Sequence, residues 1–468
     1  MAKYDYDAII IGAGIGGLVC GCYLAKAGLK TLIVEKNSFV GGYCSSFKRG
    51  GFFFDACVHS LGSMRKGGVL NQVLEDLNLK NKLRLRRNDP SDVVVSLGYK
   101  IYFWNDYKKT INNFQNTFPK EKKSIKTFFN LVMNFDLKDI IKFRKSTFDD
   151  LLKYYFNERK LTALLSFPIF INSGLPPSRI SSIIALTVFR EFMIDGGYYP
   201  EHNIQELASV FLEKFKDFGG RIYLSTQVKN FTIKDEVIRE VHLDNKSFLT
   251  SKFVVSAVDT KQTFVDFVKN SKKRFLAKNI LKKLKPSLSM FVLYLGFKNY
   301  FSEFKHQNLN IYYLEHFNVE RMYYEAIEGD FSKINWFLLH LNNKKRTMTV
   351  FINSLFKNKS FWHKYRNSYS DIIIKKIEKK IIKTNLNIEV EEICTPITLF
   401  RETLNFQGAA YGWSSVPSRL GSLTKFQSAF DNLFLTGHWS SAFYGVPGVA
   451  FLGRDTAKKV LNKLEGLK

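Results

Sequence analysis

A glycine-rich turn between a strand-like and a helix-like run, a return of sheet-like texture after residue 203, and two intervening Lys- and Phe-rich blocks predict the fold class. The class is α/β: a Rossmann-type nucleotide-binding domain, assembled from separated segments, carrying an inserted mixed α+β domain. At 468 residues the chain is too long for one simple core and suits two domains. The expected division gives 1–80, 200–265 and 395–468 to the nucleotide-binding domain, and 81–199 and 266–394 to the inserted one.

Tyr6 to Ile11 is a short apolar run of strand type, Gly16 to Ala27 has helical composition and stops at Gly28, and Lys30 to Val34 is a second strand run. Together they predict a right-handed βαβ unit, hence a parallel sheet. From Asn81 to Tyr199 the texture is helical, with stretches such as Lys122 to Phe135 and Phe148 to Phe156. A helix from Ile204 to Phe218 closes on Gly219-Gly220, and Arg221 to Phe231 and Val237 to Leu243 alternate like antiparallel strands. Phe253 to Val258 reads as a buried strand, Ser289 to Phe297 as another, and a Lys-rich helix is expected near 373–383. Leu433 to Thr436 is the last strand, before a helix that begins near Pro447 and runs to Leu464.

Composition narrows the class further. Hydrophobic residues make up 45% and charged residues 24% of the chain, which is a globular mixture rather than a disordered one. The net charge is +28, with 70 Lys and Arg against 42 Asp and Glu, and there are 44 Phe. Two readings stay open: a coding bias that enriches Lys, Asn, Ile, Phe and Tyr together, or a basic face that docks on anionic lipid. Nucleic acid is not an expected partner, because the basic residues are spread along the chain and no nucleic-acid module is present. Lys272 to Lys285 has the pattern of a basic amphipathic helix, of the membrane-surface type or simply solvated. Five cysteines without a Cys-x-x-Cys pair argue against a disulfide framework or a metal site and for a reducing compartment. The start lacks a basic leader, so the expected location is cytoplasmic, with peripheral membrane contact.

Gly12-Ala13-Gly14-Ile15-Gly16-Gly17 follows a strand, opens a helix, and is followed by Glu35, 21 residues after Gly14. This is a dinucleotide fingerprint. Gly12 permits the tight turn, Gly14 lets the backbone approach a pyrophosphate, Gly17 lets helix and strand pack closely, and Glu35 accepts from ribose hydroxyls. No second Gly-x-Gly-x-x-Gly occurs downstream, so a separate NAD(P) domain is not expected.

The run Gly41-Gly42-Tyr43-Cys44-Ser45-Ser46, then Gly51-Phe52-Phe53-Phe54-Asp55, resembles the second signature of the flavoprotein superfamily of amine oxidases and carotenoid desaturases. Four more segments resemble its branch of phytoene desaturases, carotenoid isomerases and retinol saturases: Phe54 to Gly62, Gly196 to Pro200, Val254 to Asp259, and Asn432 to Trp439 leading to Gly445-Val446-Pro447-Gly448-Val449. The resemblance implies FAD as the cofactor, a two-domain architecture like that of glutathione reductase and the amine oxidases, and a C-terminal helix aimed at the pyrimidine end of the flavin. The cofactor-binding set it implies is Gly12, Ala13, Gly14, Gly16, Gly17, Glu35, Lys36, Gly42, Val228, Gly437, His438 and Val449. The chain departs from the family pattern at Cys57, where Gly is frequent, at His438, where Asp is common, and in the shortened Gly196-Gly197-x-x-Pro200 loop.

For an acid or base the sequence offers no constellation. His59, His202, His438 and Trp439 are candidates by position alone, and no catalytic residue is assigned. Phe167, Phe170, Phe189 and Phe192 suit a helical core, or the long apolar tunnel that the resemblance implies. The implied activity is oxidoreduction or isomerisation of an apolar polyene or other isoprenoid lipid. The alternatives are an amine-oxidase-type enzyme acting on a small amine, and a flavin-free prenyl-lipid carrier of the GDP-dissociation-inhibitor type.

Overall fold

A computed structural model describes residues 4–269, 272–301, 308–420 and 430–466. Its first sheet is parallel and five-stranded. Along the chain come β1 (Tyr6–Ile11), α1 (Ile15–Lys26), β2 (Thr31–Val34), α2 (Gln205–Asp217), β3 (Arg221–Tyr223), β4 (Ser251–Ser256), β5 (Leu433–Leu435) and α3 (Gly445–Glu465). The strand order is β5-β4-β1-β2-β3. Ile9 sits opposite Leu32 on one side and Val254 on the other, so β1 lies at the centre. The chain winds outward through β2 and β3 and returns on the other side of β1 at β4. That reversal leaves a crevice beyond the carboxyl ends of the strands, where ligands of such sheets bind.

Three glycines in α1 would each cost about 1 kcal/mol relative to alanine in an isolated helix. The helix persists because it is buried along ten of its twelve residues, packed between the sheet, α2 and α3. A Cβ on Gly21 would stand 3.0 Å from the Ile33 side chain and 3.2 Å from Phe215, so the glycines are what allow this close layering.

The second sheet has seven strands in the order 388–394, 289–297, 347–354, 336–342, 308–314, 92–96, 99–103. All its pairings are antiparallel except that of 92–96 with 308–314. Helices Arg159–Ile171 and Val319–Glu328 pack on the strand Thr347–Ser354, and so does the hairpin formed by Ser46–Arg49 and Phe52–Asp55. Phe167 and Phe170 are completely buried against Trp336 of this sheet and Phe189 against Phe128 and Phe129, so all three act as core, whereas Phe192 reaches the ring of His59.

Two expectations change. Arg221 to Phe231 is not one strand: β3 joins the parallel sheet, Ser225 takes φ +49, and Val228–Lys234 pairs with Val237–Leu243 in a separate hairpin. The Lys-rich helix near 373–383 starts much earlier, as Lys359–Ile377, because the Asn358 side chain caps it by accepting from the Phe361 N–H at 2.9 Å. The basic stretch Lys272 to Lys285 is helical over Lys272–Leu281.

Candidate active site

β1 ends at Ile11 and the chain turns at once. Gly12 takes φ +99, a conformation that favours glycine, and its N–H donates to Val34 O at 2.8 Å. A Cβ on Gly17 would lie 2.1 Å from the Gly12 carbonyl oxygen, whereas one on Gly14 would meet no atom within 4 Å and would stand in open space. That space is a cavity of about 250 Å³ over the crevice. Lining it are Gly12, Gly14, Gly16, Gly17, Glu35, Lys36, Gly42, Val228, Gly437, His438 and Val449. The turn, the second strand, the hairpin and the C-terminal segment, widely separated in sequence, therefore converge on one site.

Ala13 is the expected residue that does not line it. Its N–H instead donates to Glu35 Oε2 at 2.8 Å, while Glu35 Oε1 accepts from the Asn37 N–H at 2.9 Å. These bonds hold the carboxylate at the end of β2 and leave further lone pairs on both oxygens. Lys36 Nζ donates to Asn37 Oδ1, and partial burial draws its pKa down.

Two helix N-termini open on the cavity. Gly14 caps α1 and Tyr444 caps α3; neither supplies a side-chain hydrogen bond, and neither first turn carries an acidic residue. Gly14, Ile15, Gly16, Gly445 and Val446 all line the space. Both ends thus present free N–H groups and the positive end of a dipole, an arrangement suited to a long, negatively charged cofactor. α3 starts at Gly445, two residues before the expected Pro447, which still lies in the first turn, where its missing N–H leaves no bond unmade. Gly16 and Gly437 are near contact, for a Cβ on Gly16 would be 3.2 Å from the Gly437 backbone.

His438 is half-buried with its Nε2 enclosed, and desolvation of the ring pushes its pKa down to about 4. The ring stacks on Tyr43 with centroids 6.1 Å apart and planes 11° from parallel, and Nε2 has no hydrogen-bond partner among the described residues. A neutral imidazole therefore stands where a carboxylate was the family expectation. It can offer one hydrogen bond to a ribityl or phosphate group without adding charge. With the two uncapped helix ends and the open cradle at Gly14, this orphaned nitrogen suits FAD.

Beyond Tyr43 the wall changes character. Cys57, Val58, His59, Met290, Leu338, Phe351 and Tyr411 line the rest of the cavity, so the mixed sheet forms its far side. Met290, Leu338 and Phe351 were not legible beforehand, since Ser289–Phe297, Trp336–Asn342 and Thr347–Ser354 are buried on both faces and show no alternation that marks an inward side. Of the positional candidates, His59 and His438 are in the cavity. His202 is not; it lines a separate groove with Arg86, Tyr199 and Lys345. Trp439 is buried as a structural residue, its Nε1–H donating to Asn405 Oδ1 at 2.7 Å.

The sequence profile described as "Flavin containing amine oxidoreductase" matches residues 15–334. The chain is similar to all-trans-retinol 13,14-reductase of Rattus norvegicus, with 27% identity over 346 residues that cover 65% of this chain and 56% of the relative. It is similar also to the chloroplastic prolycopene isomerase of Daucus carota, with 23% identity, 97% of this chain and 80% of the relative. Several of the curated relatives it matches are spanned over only about half their length. In fold it resembles the crystal structure of an oxidoreductase from Methanosarcina mazei, with a TM-score of 0.69, 15% identity, and 96% and 99% of the two chains covered. With more than half its length inside the matching profile and a cavity suited to the cofactor, the chain belongs to the flavin containing amine oxidoreductase family.

Proposed function

We propose that the protein carries out oxidoreduction or isomerisation of an apolar polyene, an isoprenoid lipid of the carotenoid or retinoid type. The observation that carries this reading is the continuity of the cofactor groove with a chamber walled by Met290, Leu338, Phe351 and Tyr411. FAD, when bound, would supply reversible two-electron hydride exchange to a substrate in that chamber. The glycines of the 12–17 turn, Gly42 and the two helix N-termini would hold the pyrophosphate, Glu35 and Lys36 the adenosine ribose, Val228 the adenine, and Gly437, His438 and Val449 the ribityl and flavin end. The apolar wall would align a polyene by excluded volume and keep water away. In this reading segments 1–80, 200–265 and 395–468 serve the cofactor, and 81–199 and 266–394 the lipid.

A small amine is less well supported as substrate. Among the described residues, the carboxylates lining the cavity are Glu35 and Glu402, both on the side of the adenosine in this reading, where Asn37 Nδ2 donates to Glu402 O, and the chamber offers no anionic side chain to hold an ammonium group. Among the described residues, no helix is long and apolar enough to cross a membrane. We place the protein at a membrane surface in a reducing compartment, where such a lipid is found.

The test is to purify the protein, record its flavin spectrum, and express it in cells that accumulate phytoene, lycopene or retinol, with product analysis. Bleaching of bound FAD by a polyene, or a polyene altered in saturation or geometry, supports the reading. Turnover of amines with peroxide release, and none of polyenes, would overturn it.

A further inference from the structure

Next to the apolar chamber runs a line of buried polar side chains. The Ser91 hydroxyl donates to Asp92 Oδ2, Asn310 Nδ2 donates to Asp92 Oδ1 at 2.9 Å, and Asn310 Oδ1 lies 2.7 Å from His340 Nδ1. All four residues are buried. The order of donors is forced. With its NH2 given to the carboxylate, Asn310 presents a carbonyl oxygen to His340, so Nδ1 must carry the proton. The opposite amide orientation would set a carbonyl oxygen against a carboxylate.

His340 Nε2 is then a bare acceptor, and it has no hydrogen-bond partner among the described residues. The ring centroid of His59 lies 5.8 Å away, and both nitrogens of His59 are likewise buried without a partner. With the ring centroids this close, a His59 N–H turned toward His340 Nε2, in competition with the Cys57 carbonyl that also faces the ring, would leave the second His59 nitrogen as the acceptor. Around His59 stand Cys57, Phe192 and Phe351; around His340 stand Asn310, Tyr199 and Lys345, the last of which is held by Asp55 and Tyr199. Burial pushes the His59 pKa down to about 4 and that of His340 well below the usual range, so both rings are neutral at pH 7.

We propose that His59 is the proton acceptor and donor of the chamber, positioned by the Ser91–Asp92–Asn310–His340 chain. The proposal rests on the polyene reading. Forming a C=C bond removes a hydride from one carbon, which leaves with its electron pair to oxidised flavin, and a proton from the neighbouring carbon. That proton goes to the free His59 nitrogen, and the C–H electron pair it leaves behind becomes the π bond. Saturation is the reverse, with reduced flavin as reductant and protonated His59 as acid. His59 is thus the catalytic residue, and His340 and Asn310 are positioning residues.

Two measurements decide it. ¹⁵N-histidine NMR of the FAD-loaded protein reports which nitrogen of each ring is protonated; His340 is expected as the Nδ1–H tautomer, and Asn310→Leu is expected to lose that preference. In polyene turnover His59→Gln is expected to keep its flavin spectrum and lose about 100-fold or more in rate. Wild-type desaturation should be flat from pH 8 to about 7, step near pH 6, where burial has raised the pKa of Asp92 at the far end of the chain, and fall again below about pH 5 as His59 takes up a proton, while His202→Gln behaves as wild type. A His340 Nε2–H tautomer, or a His59→Gln variant with wild-type rate and pH profile, overturns the proposal. A wild-type protein that takes up FAD and transforms no polyene overturns the lipid reading, and the proton step with it.

Discussion

Gly14 and Gly17 are three residues apart in one turn, yet the structure asks different things of them. Gly17→Ala drives a Cβ to 2.1 Å from a backbone oxygen that cannot move aside, so a stability loss of about 1–3 kcal/mol is expected in urea unfolding, with loss of FAD. Gly14→Ala meets nothing in the protein, so the apoprotein should melt as wild type while FAD affinity falls in a flavin titration. Buried carboxyls set a pH dependence, Asp259 and Asp92 among them. Asp259 accepts from the Lys261 N–H at one oxygen and from the Phe406 N–H at the other, and burial pushes its pKa up to about 7. A folded pKa above the unfolded 3.8 means that the folded state keeps a proton the unfolded chain has released. Its stabilising contribution is therefore complete below about pH 4 and is lost as pH rises through 7. Asp259→Asn, whose Nδ2 would face the Phe406 N–H that Asp259 Oδ2 accepts, should unfold at lower urea than wild type at pH 4 and close part of that gap by pH 8. At this scale the turn and Glu35 were legible because their chemistry is local. Asp92, Asn310 and His340 were not, since 218 positions separate Asp92 from its amide partner.

Among the elements, the contact between α1 and α3 is the tightest in the site. A Cβ on Gly453 would come within 2.6 Å of Gly16 O and 3.0 Å of the Val19 side chain. Gly453→Leu is expected to prise the helices apart, costing about 1–3 kcal/mol by thermal unfolding and weakening FAD binding, because Gly16 moves with α1. Both helices were visible in advance through their glycine and proline punctuation. Lys359–Ile377 was placed too late because its packing stripe is aromatic: Phe361, Tyr365 and Tyr369 pack at intervals of four, the first pair tilted and the second stacked, with centroids 5.0 and 5.5 Å apart, among Lys, Arg, Asn and Ser. The split of 221–231 was hidden because strand alternation persists across the break at Ser225, whereas only tertiary pairing assigns each half to its sheet.

On the scale of the whole molecule, the +28 charge acquires a shape once exposed apolar side chains are located. Leu137 and Ile141 stand out from a helix that also carries Lys138 and Lys142, and Phe275 and Leu276 from the Lys272–Leu281 helix. Binding to vesicles rich in phosphatidylserine, weak on phosphatidylcholine and reduced by 0.5 M salt (an order-of-magnitude choice well above physiological ionic strength), is the expected outcome of a flotation assay. Equal binding to both lipids would leave coding bias as the account of the lysines. The two-domain plan was legible from the alternation of textures along the chain. The chamber was not, because it forms only where the mixed sheet closes over the crevice. The cofactor site joins β1 and α1 to β5 and α3, which leave the ribosome later. Until β5 and α3 emerge, the βαβ unit has one flank of α1 uncovered and only part of the nucleotide cradle. Flavin loading is therefore expected to wait for them: a nascent chain stalled short of Gly437 should retain no FAD, whereas one that has released α3 should.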